Sequence, residues 1–174
     1  CWGDNSQGQL GTGTGGNQLQ PTAVSGGLVF VALAAGEAHA CGLTAAGTAF
    51  CWGQNSDGQL GTGSLTPSNV PVAVTGGQTF TALGASTAST CGVATGGAGF
   101  CWGLNFGLQL TSPQPVAGGF TYTALVMGDH HVCGLTPGGW RCAGDNAFGQ
   151  LGDGSAPTDQ VSPVLPSGGV SYTT

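Results

Sequence analysis

Seven cysteines and three histidines are the side chains of this 174-residue sequence best equipped for chemistry, and their spacing decides which chemistry is open to them. Zinc asks for Cys-x-x-Cys or His ligands converging from two knuckles, and neither pattern occurs. Acid–base or nucleophilic work asks for paired carboxylates or a Ser, His and Asp set. Asp4 and Asp145 occupy the same place in two copies of a repeat, and Asp57, Asp153, Asp159 and Glu37 are scattered through turn-rich stretches. No run alternates oxygen ligands as a calcium loop must.

Two further patterns fail on context. Gly11 to Gly16 reads GTGTGG, which satisfies Gly-x-Gly-x-x-Gly, but a dinucleotide site needs a helix directly after it, and Asn17 to Pro21 is a loop. Asp129, His130, His131 and Cys133 approach the Asp-His-His-Cys signature of palmitoyl transfer, yet Val132 interrupts it. No apolar run approaches the roughly 18 residues of a membrane-spanning helix. The expectation is a chain without catalytic residues, metal, cofactor or membrane insertion.

The cysteines are better explained by pairing. Cys41 and Cys51 flank a hairpin centred on Ala46, and Cys91 and Cys101 flank one centred on Gly96. Residues so placed face each other across two antiparallel strands, within disulfide reach. Cys133 and Cys142 are one residue closer, around Pro137 and Gly138, and stay opposite if that turn has two residues. Pro-Gly is an imperfect fit to the primed hairpin turns. Three such staples imply an oxidising compartment, so the protein is expected outside the cell or at its surface. Cys1 is left without a partner in the chain.

These hairpins belong to a repeat. CWGQNSDGQLGTG at 51–63 recurs as CWGDNSQGQLGTG at 1–13, CWGLNFGLQL at 101–110 and CAGDNAFGQLGDG at 142–154. From Gly27, Gly77 and Gly119, an aromatic falls at Phe30, Phe80 and Tyr122, a leucine at Leu33, Leu83 and Leu125, and a cysteine at Cys41, Cys91 and Cys133. Such fixed spacing outranks other fold signals. The spacing shortens between Cys101 and Cys142, chiefly by eight residues assigned to a variable surface loop after Leu110. Within a repeat we read four short strands, in the second copy Val72 to Val74, Phe80 to Gly84, Ser89 to Val93 and Gly99 to Gly103, bounded by Gly or Pro. Four-stranded units at this period suggest propeller blades. The composition agrees, since 36 glycines and 9 prolines disfavour long helices.

Trp2, Trp52, Gly53, Asn55, Gly58, Gln59, Leu60 and Gly61, with Gly36, His39, Cys41, Gly42, Leu43 and Gly47, carry a resemblance to the regulator of chromosome condensation repeat family. The resemblance implies an all-β, seven-bladed propeller, of which this chain holds about three and a half blades as one partial domain over 1–174, cut at both ends. Gly169 and Tyr172 begin a further copy, and Cys1 would pair with a cysteine ten residues before the start. Departures are Ser86 and Ser89 in place of Gly and His, Leu108 and Thr111 in place of anchor glycines, and Ala143 in place of tryptophan. Trp2, Trp52 and Trp102 are read as packing between blades, and His39 and His131 as structural residues bonding loop backbone. His130 is a solvent-facing residue that the repeat does not explain.

The charge narrows the partners. One Lys or Arg, Arg141, against seven Asp or Glu gives a net charge of -6, which cannot neutralise phosphates and excludes nucleic acid. Only 5% of residues are charged, so little repulsion keeps such surfaces apart. No Asn-x-Ser/Thr sequon exists, and any glycan is O-linked. The expected role is a non-catalytic extracellular structural or protein-binding module. It would contact other protein chains, by self-assembly, through remaining blades, or in a cell-surface or fibrous assembly. A secreted recognition or inhibitor propeller is the alternative, and a nucleotide-exchange or chromatin role, implied by the family, is opposed by the disulfides and acidity.

Overall fold

The computed structural model describes residues 1–105 and 107–168, and the sequence expectations at Gly169 and Tyr172 lie outside them. Three four-stranded antiparallel sheets follow one another along the chain. The first holds β1 (Phe30–Ala35), β2 (His39–Thr44), β3 (Ala49–Gly53) and β4 (Ser68–Ala73). The second holds β5 (Phe80–Ala85), β6 (Ser89–Ala94), β7 (Gly99–Asn105) and β8 (Leu108–Pro115). The third holds β9 (Ala124–Met127), β10 (His131–Thr136), β11 (Gly139–Gly144) and β12 (Gln160–Val164). Among the described residues the one helical element is a 3-10 turn at Ser25–Gly27, and no helix is long and apolar enough to cross a membrane.

Each sheet runs in simple up-and-down order, because each connection is a short Gly-bearing turn or a loop returning to the neighbouring edge. The first strands lie against one another, β1 on β5 and β5 on β9, and β2 and β6 pack on the first strand of the next sheet. Sheets stacked this way are propeller blades. Gly3 pairs with Gln18, and the Thr22 amide donates to the Cys1 carbonyl at 2.9 Å. These match Gly53 with Ser68 and Cys51 with Val72 in the first sheet. The segment from Cys1 to Val24 therefore holds the third- and fourth-strand positions of a further blade, about half a blade beside the three complete sheets.

The ladder corrects the sequence reading twice. Val72 to Val74 does not open the second unit; Val72 sits in β4, the outer strand of the first sheet, paired with Cys51. A tandem repeat has no inherent beginning, so spacing alone leaves the blade boundary open. The second correction concerns Leu108, Gln109, Leu110 and Thr111, which are strand residues of β8 and not a copy of the Gly-Gln-Leu-Gly loop. Leu110 pairs with Gly103 as Ser68 pairs with Gly53, and Asn105 pairs with Leu108. Fourteen residues join Gly53 to Ser68, whereas six join Gly103 to Leu110. The eight missing residues remove the whole loop, which lay before Leu110 and not after it.

The core lies between blades. Cys41, Leu43, Ala49, Cys51 and Leu60 from the first meet Phe80, Ala94 and Trp102 from the second, with Leu83 packed against them. A smaller cluster joins Cys91 and Cys101 to Val132, with Leu125 and Met127 on its flank.

Candidate functional site

Each sheet carries one disulfide between its second and third strands. Cys41 lies opposite Cys51, Cys91 opposite Cys101 and Cys133 opposite Cys142, with Cα atoms 4.0, 4.0 and 4.1 Å apart. The third hairpin turns on Pro137 and Gly138 alone, since Thr136 pairs with Gly139, and that keeps its cysteines opposite despite the lost residue. Cys1 is free.

The repeated anchors build a latch between successive blades. Trp52 and Trp102 are fully buried. The Trp52 Nε1–H donates to the Gln9 carbonyl and that of Trp102 to the Gln59 carbonyl, each at 2.9 Å. The loop following one blade's third strand thus caps the tryptophan of the next. A glycine faces each indole because a Cβ on Gly11 or Gly61 would fall 2.8 or 2.9 Å from the ring. The loop is also tied to the next blade's outer strand, by Gly13 N–H to Asn69 O at 2.9 Å and Gly63 N–H to Thr111 O at 2.8 Å. Trp2 departs from the expectation of packing between blades: it is 66% exposed.

Asn55, Gln59 and Leu60 shape the loop itself. Asn55 Oδ1 accepts the Leu60 amide at 2.9 Å while its Nδ2 donates to the Ser64 and Thr66 carbonyls, both at 2.9 Å. Asn5 and Asn146 repeat the first bond to Leu10 and Leu151. Gln59 Oε1 accepts the Asp57 amide at 2.9 Å, Leu60 is buried in the inter-blade core, and Gly58 passes close to Leu110 and Thr111 of the next blade. Asn105, which has no loop to organise, turns its Nδ2 to the Trp102 carbonyl at 2.7 Å.

His39 is buried, and its partner is a side chain and not the loop backbone expected from sequence. Its Nε2 lies 2.9 Å from Thr90 Oγ1, and that hydroxyl donates its one proton to the Gln59 carbonyl at 2.9 Å. The imidazole must therefore donate from Nε2, which leaves Nδ1 bare and without a partner. Burial lowers its pKa from 6.5 to about 4, since charging the ring would bury an ionised group without compensation. The ring stands over Gly36, where a Cβ would be 2.4 Å from Cε1. His131 stands likewise over Gly128 and makes no side-chain hydrogen bond among the described residues. Where the histidine becomes Ser89 the glycine becomes Ser86, and the two hydroxyls bond at 2.8 Å. Gly goes with His and Ser with Ser, each pair filling one space.

Carboxylates serve turns. Hydrogen bonds from Ser6 hold the exposed Asp4 carboxyl below its usual pKa, and those from Ser155 do the same for Asp153. Among the described residues, no three His, Cys, Asp or Glu side chains approach closely enough to share an ion. Arg141 lies over the Phe120 ring, 4.1 Å from its centroid.

Sequence reasoning missed a cleft of about 260 Å³ between the second and third blades, lined by Leu104, Gly107, His130, Asp145, Asp159 and Val161 among others. The signal was the shortened repeat between Cys101 and Cys142, which read only as a loop deletion.

Stacked four-stranded sheets, latched through a tryptophan and a Gly-Gln-Leu-Gly loop, define an arc of a repeat propeller. The chain belongs to the regulator of chromosome condensation (RCC1) repeat family, whose two profiles match residues 1–43 with 46–94 and residues 30–59. No curated protein matches the chain. Among solved structures it resembles human WBSCR16, with a TM-score of 0.78 at 22% identity over 92% of this chain and 45% of that one. It also resembles a chain in the crystal structure of Kap60 bound to yeast RCC1 (Prp20), with a TM-score of 0.82 at 19% identity over 97% of this chain and 44% of that one. Prp20p from Saccharomyces cerevisiae, described with its binding to Gsp1p and histones, gives 0.75 at 22% identity over 87% and 42%. The chain thus spans less than half the length of these relatives.

Proposed function

We infer that this chain is a non-catalytic, protein-binding propeller module that works outside the cell or at its surface. The observation that carries the protein-binding reading is the contrast between three leucines at one repeat position. Leu83 packs into the core shared with the first blade and Leu125 into that shared with the second, whereas Leu33 is 62% exposed. Val29 and Val31, on the same strand approach, are exposed with it. Leu33 stands where Leu83 and Leu125 are partly buried, Val29 and Val31 stand where the second and third sheets carry the exposed threonines Thr79, Thr81, Thr121 and Thr123, and a contiguous apolar strand face of this kind is an interaction surface. Its occupant is a protein surface, whether further blades or a second chain, since charge repulsion on this near-uncharged molecule is small.

The extracellular reading is supported by the three disulfides, each joining strands already paired by hydrogen bonds. No feature favours an inhibitor or nucleotide-exchange role over the simpler one; the latter rests on what relatives bind, and likeness at this identity speaks to fold alone.

Sedimentation equilibrium tests the reading. The chain is expected to associate with rising concentration, and Leu33→Lys to reduce association without lowering the melting temperature. A monodisperse monomer at high concentration, indifferent to that substitution, would overturn it.

A further inference from the structure

A latch has two halves, and the described residues hold a spare copy of each. One half is the loop after a blade's third strand, whose glutamine carbonyl and nearby glycine receive an indole. The other is the next blade's tryptophan together with the outer strand beside it. The halves meet where Gln9 and Gly11 receive Trp52 and where Gln59 and Gly61 receive Trp102.

The 146–154 loop of the third blade is built to the same shape. Its Gly149, Gly152 and Gly154 have φ of 79°, 67° and 80°, and Gly8, Gly11 and Gly13 have the same three values. Asn146 Oδ1 holds the Leu151 amide at 3.1 Å, and the Gly152 carbonyl accepts the Ser167 amide as that of Gly11 accepts Ser25 and that of Gly61 accepts Thr75. Leu151 is buried, which anchors the loop to its own blade. Gly152 is exposed, whereas Gly11 and Gly61 are buried against indoles. No described residue donates to the Gln150 carbonyl or accepts from the Gly154 amide.

The half blade offers the counterpart. Trp2, in register with Trp52 and Trp102, is 66% exposed. Leu19 is 94% exposed, and it follows Gln18, the partner of Gly3, as Asn69 follows Ser68, the partner of Gly53. The Asn69 and Thr111 carbonyls accept the Gly13 and Gly63 amides, while that of Leu19 accepts no amide of a described residue. Each surface therefore holds one donor and one acceptor that the other can satisfy: the Trp2 indole with the Gln150 carbonyl, and the Gly154 amide with the Leu19 carbonyl.

We propose that a second copy of this chain docks head to tail, the 146–154 loop of one copy capping Trp2 of the next. The proposal rests on the protein-binding reading and names a partner for it, through contacts that Leu33 does not make. The two surfaces differ, so the contact is heterologous and copies can string together.

The test is made in the Leu33→Lys background, where association through that face is removed, so its outcome is separate from the Leu33 experiment. Trp2→Ala takes away the indole. Gly152→Asn blocks the loop: asparagine tolerates left-handed backbone, and a Cβ there meets only Pro166 among the described residues, at 3.5 Å, yet at Gly11 and Gly61 the same atom would fall 2.8 and 2.9 Å from the indole. By sedimentation velocity, the Leu33→Lys parent is expected to form oligomers that grow with concentration. Each further variant alone is expected to stay monomeric over that range, and their equimolar mixture to form a 1:1 complex and nothing larger. Unlabelled Trp2→Ala added to nitrogen-15-labelled Gly152→Asn should shift the Trp2 indole resonance and leave those of Trp52 and Trp102 in place. A dilution series of the labelled parent tests the same contact without either substitution. A monomeric parent, variants that associate as the parent does, a mixture that stays monomeric, or a Trp2 resonance that does not move would overturn the proposal.

Discussion

Trp102 and Gln59 lie 43 positions apart and on different blades, yet the indole Nε1–H of one meets the backbone carbonyl of the other at 2.9 Å. The same carbonyl accepts the Thr90 hydroxyl, whose oxygen receives the His39 imidazole. One backbone oxygen therefore joins the first blade's loop, the second blade's tryptophan and, through Thr90, the first blade's histidine. The inter-blade junction is a small buried polar network set in an apolar core, and such networks are costly to leave half made.

Trp52→Ala is expected to destabilise by about 3 to 5 kcal/mol, the usual loss for a fully buried aromatic. His130→Ala, at an exposed site, is expected to fall within about 0.5 kcal/mol of the parent. Urea unfolding of both variants makes the comparison. Equal small effects would show that the indole does not hold the blades together.

Stability should rise with pH through the range where His39 titrates in the unfolded chain but not in the folded one. Its folded pKa is about 4 against an ordinary 6.5, so its contribution is complete above 6.5 and is lost as pH falls toward 4. The full loss is on the order of 3 kcal/mol. Asp4 and Asp153, with pKa values held below 3.8, change charge below this window. The double variant Gly36→Ser with His39→Ser copies the Ser86 and Ser89 pair and should flatten the slope between pH 4 and 6.5. A slope unchanged in that variant would assign the effect elsewhere.

Peptide mapping without reductant should recover Cys41 with Cys51, Cys91 with Cys101 and Cys133 with Cys142, and Cys1 should alkylate freely. Each bond closes a short loop and contributes about 2 to 3 kcal/mol. Alkylation of all seven cysteines in the unreduced protein would refute this pairing and the compartment argued from it.

The third blade should open before the second. It lacks both the tryptophan and the loop that tie the second blade to the first, and neighbouring blades supply most of each other's stability. Native-state hydrogen exchange is expected to give lower opening free energies for β10 and β11 amides than for β6 and β7. The reverse order would mean that the remaining contacts of Val132 with Cys91 and Cys101 suffice.

Much of this arc is legible in the sequence because its strands are short, its turns carry glycine, and its cysteines repeat with their hairpins. Cys41 and Cys51 announce their register, and Trp52 and Asn55 announce a packed anchor. The fate of Leu108 to Thr111 is not legible, since Leu-Gln-Leu suits both a buried loop and an outer strand; only the pairing of Gly103 with Leu110 decides. The sheet to which the strand containing Val72 belongs is not legible for a related reason, because Gly and Pro mark where strands end but not which neighbour they join. The cleft draws on two blades and on residues that are missing, and a linear reading aligns what is present. His39 illustrates the same limit: its partner Thr90 lies on the next blade, in a place no local pattern marks.

The shared register of the first two hairpins has a consequence for how such chains change length over time. Cys51 to Phe100 spans one full period, and its removal would place β2 beside β7, with Cys41 facing Cys101 and the loop around Gln9 facing Trp102. Unequal recombination anywhere within a period would thus delete or duplicate one intact blade, wherever the crossover fell. The third hairpin, one residue shorter and without its latch, is out of step with this exchange.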